Sequence, residues 1–166
     1  MNAFLANLFR RVTTGVYVIG VGYGELRNAF TAAFVMQVSY DPLLLALGIN
    51  PRHSSFGLLK QGGVFSVNVL KRDQLGLAAH FGGRASAAKL AHIAWTPGRT
   101  GVPLLPQCLA WFECEMAGEH PAGDHVLVLG KVIAGELVDA GAEALIYSDT
   151  GAMDGAVDLF PDDFGN

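Results

Sequence analysis

The run Arg27-Asn-Ala-Phe-Thr-Ala-Ala-Phe-Val-Met-Gln-Val-Ser-Tyr-Asp-Pro-Leu-Leu-Leu-Ala-Leu-Gly-Ile-Asn-Pro-Arg-His-Ser-Ser55 decides how this chain folds. It reads as two buried strands, residues 29–39 and 43–49, followed by a helix start at Ser54 or Ser55. Asp41-Pro42 joins the strands and imposes extended geometry and a bend. Asn28, Thr31, Gln37, Ser39, Gly48 and Asn50 interrupt the apolar run. A plain core strand has no use for so many polar groups, because each buried one must find a partner. The pattern points to a sheet whose backbone and polar side chains meet a flat, polar-edged ligand.

Outward from that run, residues 4–14 have helical spacing, with Leu5, Leu8, Phe9 and Val12 on one face and Gly15 as the stop. Residues 16–23 form a strand ending in a Gly24-Glu25 turn. Downstream, Ser54 or Ser55 caps a short helix through Leu59, closed by Gly62-Gly63. Residues 64–70 alternate as a strand. A second helix spans residues 73–81, capped by Asp73 and broken at Gly82-Gly83, and a third spans 85–92. Strands 109–119 and 126–138 are joined by the turn His120-Pro-Ala-Gly-Asp-His125, and the tail from Tyr147 is acidic. Short helices and hairpin-like connections predict a mostly β, mostly antiparallel barrel with peripheral helices. Regular strand–helix–strand alternation, which a doubly wound sheet requires, does not occur.

At 166 residues, 51% apolar and 16% charged, the chain fits one domain with a substantial core. So low a charge content implies apolar surface covered by another subunit. A net charge of −4 argues against a nucleic-acid footprint. Lys60, Lys71, Arg72, Arg84 and Lys89 are scattered rather than clustered. Arg10 and Arg11 follow the apolar start, the reverse of a signal peptide, and no apolar stretch reaches ~18 residues, so no membrane span is expected. On one strand Cys108 and Cys114 would lie ~20 Å apart at ~3.3 Å per residue, too far to bridge. Reduced thiols in a cytoplasmic protein are the expectation.

Gly20-Val-Gly22-Tyr-Gly24 has the wrong spacing for a dinucleotide fingerprint, and Leu26 to Phe30 is no helix start. A glycine-softened hairpin is the better reading. His120, Asp124 and His125 lack the spacing of a zinc site, and His125 fits a strand start facing a cleft. No serine lies in a Gly-x-Ser-x-Gly elbow. Cys114, between Glu113 and Glu115, is opposed from forming a thiolate. Arg52-His-Ser-Ser55, after Asn50-Pro51, offers charge and hydroxyls either to a phosphate or to an ordinary cap with a solvated Arg.

Together these residues resemble the flavin reductase-like family of FMN-binding split barrels, over most of the chain. The matching motifs are Phe9-Arg-Arg-Val-Thr-Thr-Gly-Val16, Asn28-Ala-Phe-Thr-Ala-Ala-Phe34, Ser39-Tyr-Asp-Pro-Leu-Leu-Leu-Ala-Leu-Gly-Ile-Asn50, Gly63-Val-Phe-Ser-Val-Asn-Val-Leu70 and Gly123-Asp-His125, in that order. Leu43 stands where the family often has a second proline, and Ala33 where it often has serine.

The resemblance implies a split-barrel domain over residues 1–146, with 147–166 as its acidic extension. It implies hydride transfer from NADH or NADPH to FMN or FAD, the cofactors' own chemistry, and reduced flavin handed to a partner monooxygenase. The expected flavin bed and edge comprise Asn28, Ala29, Phe30, Thr31, Ala32, Ala33, Leu47, Gly48, Ile49 and Asn50. Arg52, His53 and Ser54 are expected near the ribityl phosphate, and His80 and Phe81 at the far side. Asp124 and His125 are expected on the nicotinamide side, with His125 as the catalytic positioning residue and no metal. A homodimer is expected, because the family's flavin sites lie at the dimer interface. The alternative is a split-barrel protein that holds flavin, or another ligand such as haem, without rapid turnover.

Overall fold

The computed structural model describes residues 2–165. Helix α1 (Asn2–Phe9) leads into strands β1 (Tyr17–Tyr23), β2 (Leu26–Ala32), β3 (Val35–Tyr40) and β4 (Leu43–Ile49). Then come α2 (Phe56–Gly62), β5 (Val64–Val69), α3 (Leu75–Gly82) and the short pair β6 (Thr96–Pro97) and β7 (Pro103–Leu104). The long hairpin β8 (Ala110–Ala122) and β9 (His125–Leu137) and two 3-10 turns, Tyr147–Thr150 and Ala156–Leu159, complete the chain.

Seven strands form one antiparallel sheet in the order β2-β1-β5-β8-β9-β4-β3. Every one of them contributes to a single buried cluster: Ile19 and Val21, Phe30, Val35, Leu47 and Ile49, Phe65 and Val67, Cys114, and Val128. Strand side chains alternate between faces, so one cluster fed by all the strands means the sheet curls round a common interior. Successive residues do point opposite ways. Ile19 and Phe30 go inward, while Val18 and Ala29 join a second cluster outside the barrel with Ala78 and Phe81 of α3 and Leu90 and Leu105.

The expected strand 29–39 is two strands. β2 pairs with β1 up to Tyr17↔Ala32, and β3 pairs with β4 from Val35↔Leu47. Between them Ala33 and Phe34 cross from one sheet edge to the other, held by Gly48 N–H donating to Phe34 O at 2.8 Å. The apolar pattern runs unbroken through the crossing, so sequence periodicity cannot reveal it. β3 and β4 turn at Asp41-Pro42, whose peptide is cis.

The glycine run after β1 serves the hairpin. Gly24 opens the β1–β2 turn at φ +54, and a Cβ on Gly20 would collide with Ser66 Oγ. The β8–β9 turn is tighter than expected. Ala122 pairs with His125, which leaves only Gly123-Asp124 in the loop, with Gly123 at φ +66.

Other boundaries also move. α2 extends to Gly62, with Gly63 left-handed at its end. α3 begins after Gln74 rather than Asp73, and Gln74 also accepts Lys71 N–H and donates to Gln107 O. Residues 85–92 are not helical, because Ser86 Oγ takes the Ala88 N–H and Lys89 is tied back to α3. α1 ends at Phe9 and buries only Leu5 and Ala6. Leu8, Phe9 and Val12 stay exposed rather than forming a core face. The acidic tail folds back on this helix, with Phe160 against Phe9 (5.5 Å) and Phe164 edge-on to Phe4 (6.5 Å).

Candidate functional site

The crossing between β2 and β3 is flanked by two groups of polar and aromatic side chains. On the α2 side, Asn28 Nδ2 donates to Ser55 Oγ (3.3 Å), and Asn28 Oδ1 accepts Ala29 N–H. Ser55 N–H donates to His53 Nδ1 (3.1 Å), which leaves Nε2 to carry the proton of a neutral ring. The His53 ring packs on Phe30 at 4.4 Å. Burial first, and the charge of Lys89 second, hold its pKa below the ordinary histidine value. Asn50 shapes the loop, its Oδ1 accepting Arg52 N–H and its carbonyl accepting His53 N–H.

On the β9 side, Phe34 packs on His125 at 5.4 Å. His125 Nδ1 meets Asp124 Oδ1 at 2.7 Å. That bond is the main cause of a lowered Asp124 pKa, with the charge of Arg52 a lesser one. Gly48 lies beneath Phe34: a Cβ there would come within 3.1 Å of the Phe34 Cβ.

α3 closes the outer side. Thr31 Oγ1 donates to Ala78 O (2.7 Å), and Gly82 backs onto Thr31. His80 packs edge-on to Phe81, and its Nε2 is 2.7 Å from Lys89 O.

Of the expected residues, Asn28 and His53 lie on one flank and Asp124 and His125 on the other, Gly48 lies beneath Phe34, Asn50 holds the Arg52 and His53 amides, Thr31 is bonded to α3, and Ala32 and Ala33 are half-buried at the crossing. Ala29, Phe30, Leu47, Ile49 and Phe81 are buried in the core at 0–3% exposure. These five can offer a ligand their backbone but not their side chains. Ser54 is exposed, and its neighbour Ser55 takes the polar contact instead. Ser55 makes no side-chain cap bond to α2, so the cap reading fails there. Sequence reasoning misses Ser55 and Phe34, which lie beside the crossing, and the burial of Lys89. Phe34 sits where the strand pattern breaks.

The site holds no activated nucleophile. Burial pushes the Cys114 thiol to about 12, with Glu113 adding to the effect, and the Cys108 thiol to about 11. Burial thus outweighs the neighbouring carboxylate that the sequence alone suggests for Cys114. What remains is a wall of strand backbone and small side chains, edged by an amide, hydroxyls, two histidines and cationic groups. Such a surface binds and orients a planar polar-edged molecule.

Comparison with known proteins fits that geometry. The model of the flavin reductase like domain matches residues 9–156. The NADH-dependent FMN reductase AsuE2 of Streptomyces nodosus subsp. asukaensis is 34% identical over 84% of this chain and 79% of its own. A Nostoc sp. relative, a diflavin flavoprotein by name, is 31% identical over 89% of this chain, which spans only 26% of that protein. Among solved structures, BorF, the flavin reductase component of a bacterial two-component tryptophan halogenase, superposes with a TM-score of 0.80 at 34% identity, covering 89% of this chain and 93% of BorF. Fold, site and matched residues agree: the chain belongs to the flavin reductase-like domain family.

Proposed function

We propose that this chain is a flavin reductase, transferring hydride from NADH to FMN or FAD bound at the β2–β3 crossing. The observation that carries the reading is the pairing of two flanks on one strand break. Asn28, His53 and Ser55 lie on one side, and Phe34, Gly48 and His125 on the other. A flavin supplies the redox chemistry when bound, accepting hydride from a reduced nicotinamide. The chain's own part is to hold two flat rings in register and exclude water. Backbone of residues 28–33 and 47–50 serves the ring edge, and the Arg52–Ser55 loop serves the phosphate end. His125, oriented by Asp124 and Phe34, positions the nicotinamide. None of these residues need transfer a proton.

The same reading includes a homodimer. Its support is an apolar face on which Met36, Val38, Tyr40 and Leu43 are exposed, beside a groove of about 530 Å³ lined by Leu43, Phe112, Val132 and Leu137. It also includes a partner oxygenase that receives reduced flavin, as the name of BorF describes for that protein. A cytoplasmic location accords with two free, buried cysteines. Residues 1–146 make up the reductase domain, and 147–166 are an extension of it, of which Phe160 and Phe164 pack on α1.

Purified protein incubated with FMN or FAD and NADH or NADPH should consume the reduced nicotinamide, followed by its absorbance. Absence of turnover with all four pairs would sink the reductase reading. Sedimentation that finds a flavin-binding monomer would remove the dimer.

A further inference from the structure

Helix α1 is apolar on more than one side. Its sequence, Asn2-Ala-Phe-Leu-Ala-Asn-Leu-Phe9, contains no charged residue. Leu5 and Ala6 are buried, while Phe4, Leu8 and Phe9, and Val12 just beyond the helix, are 46–64% exposed. Phe4 and Leu8 stand one turn apart on a single stripe. A helix that is hydrophobic all round belongs between two layers, and the tail supplies only part of the second one. Phe160 lies against Phe9 and Phe164 edge-on to Phe4, but Leu159 and Phe164 are themselves 83% and 72% exposed. Single exposed apolar side chains need no explanation, whereas a group of them joined in one face marks an interaction surface.

Charge decides what covers that face. The tail contributes Asp149, Asp154, Asp158, Asp162 and Asp163 and no Lys, Arg or Glu, in a chain whose net charge is −4. The chain's negative excess therefore resides beside this face. Asp154 accepts Tyr147 O–H and Ala156 N–H, and Asp163 accepts Gly165 N–H. None of the five belongs to an ion pair among the described residues. Two cations stand at the end of α1, Arg10 over the Tyr147 ring at 5.6 Å and Arg11 exposed. An acidic face repels nucleic acid and anionic lipid. It also repels a second copy docked through a two-fold axis, which would set the same aspartates against each other. A protein segment with an apolar stripe and flanking cations meets both the side chains and the charge.

We propose that α1 and the tail form a docking face for a basic amphipathic helix of a partner protein. The apolar stripe of that helix covers Phe4, Leu8, Leu159 and Phe164, and its Lys and Arg residues meet Asp158, Asp162 and Asp163. No residue of this face belongs to either flank of the β2–β3 crossing. The inference therefore goes beyond the flavin reading and stands independently of it.

The probe is a fluorescein-labelled peptide of leucine and lysine with leucines at i, i+3, i+4 and i+7, titrated with the full chain and read by anisotropy. Two controls have the same composition scrambled and glutamate in place of lysine. Wild type should bind the patterned lysine peptide about tenfold tighter than either control. The double variant Leu159→Ser/Phe164→Ser should lose the preference for the patterned over the scrambled peptide. The triple variant Asp158→Asn/Asp162→Asn/Asp163→Asn should lose the preference for lysine over glutamate, together with the weakening by salt that wild type shows. Tyr23→Ser, an exposed aromatic on β1, should change neither. Leu159→Ser alone answers the apolar question if the double variant does not fold. Equal binding of all three peptides by wild type, or variants that keep both preferences, would overturn the docking face. Self-association of wild type, or flotation with phosphatidylserine vesicles, that Leu159→Ser/Phe164→Ser abolishes would overturn it too, by giving the face to a second copy or to a membrane. NADH consumption with FMN, measured without peptide, should be the same in wild type and these variants, so failure of the flavin reading is seen separately.

Discussion

Two loops of this molecule are each built over a buried charge, and they end differently. Loop 97–102 closes on Glu113, which is fully buried and accepts Arg99 N–H (3.0 Å), Thr100 N–H (2.6 Å) and Thr100 Oγ1–H (2.6 Å). A side chain at Gly98 would collide with that carboxylate, at 2.6 Å from its Oε1. Loop 83–89 closes on Lys89, which has two carbonyls and no counter-charge. The carboxylate is saturated by the chain's own donors, so folding alone finishes that loop. The ammonium meets only these two carbonyls and no carboxylate among the described residues, so that loop keeps an uncompensated charge. The contrast separates a charge that the fold satisfies from one that it does not.

The largest effect belongs to the architectural charge. Glu113→Ala strips three donors of a charged acceptor and should cost roughly 3 kcal/mol of stability, measured by urea unfolding. A Glu113→Ala protein as stable as wild type would break the contrast, because loop 97–102 would then hold without the charge that its donors meet.

Next in size is the nicotinamide side. His125→Ala should lower kcat/KM for NADH about tenfold through lost positioning, with FMN affinity nearly unchanged. An equal loss in FMN binding would move His125 to the flavin side of the crossing.

Much of this arrangement is legible in the amino-acid sequence. The apolar run of residues 43–49 and the alternation of residues 64–70 mark strands that the fold contains, and the polar interruptions at Asn28, Gly48 and Asn50 fall beside the β2–β3 crossing. Three features are hidden from it. The crossing at Ala33-Phe34 is set by which edge each strand pairs with, and pairing is non-local. Which strand residues point inward depends on register, so Ala29, Phe30, Leu47 and Ile49 read as ligand contacts when their side chains are core. Lys89 reads as one more scattered cation, because burial of a lysine is decided by what folds over it. The tail is opaque for the same reason, since its partner is α1 at the other end of the chain.

A smaller effect links Lys89 to pH. The His53 pKa lies below 6.5 in the folded chain, from burial first and Lys89 second. The unfolded state therefore takes up the proton more readily. This contribution to stability is complete above about pH 6.5 and is lost as pH falls through that value to the depressed folded pKa. Lys89→Met removes one cause of the depression, so unfolding midpoints measured on either side of neutrality should show a shallower acid loss than wild type. An unchanged slope in Lys89→Met would mean that its charge does not reach the histidine.

The smallest effect comes from the lysine that does have a carboxylate. Lys71 meets Asp139 at 3.4 Å, but both side chains retain solvent, 24% and 45% exposed. The segment is already sewn by backbone bonds, Arg72 N–H to Glu143 O and Leu145 N–H to Leu70 O. Screening and side-chain entropy leave such a pair about 0.5 kcal/mol at most. Asp139→Asn should therefore change the urea midpoint barely, and less still at high salt. A loss comparable to that of Glu113→Ala would mean that an ion pair at this depth is worth as much as a buried, fully donated carboxylate. The distinction between the two loops would then rest on charge pairing rather than burial. With the small value expected, burial is what makes Lys89 different from Lys71: the same ammonium is inexpensive where water reaches it and costly where water does not.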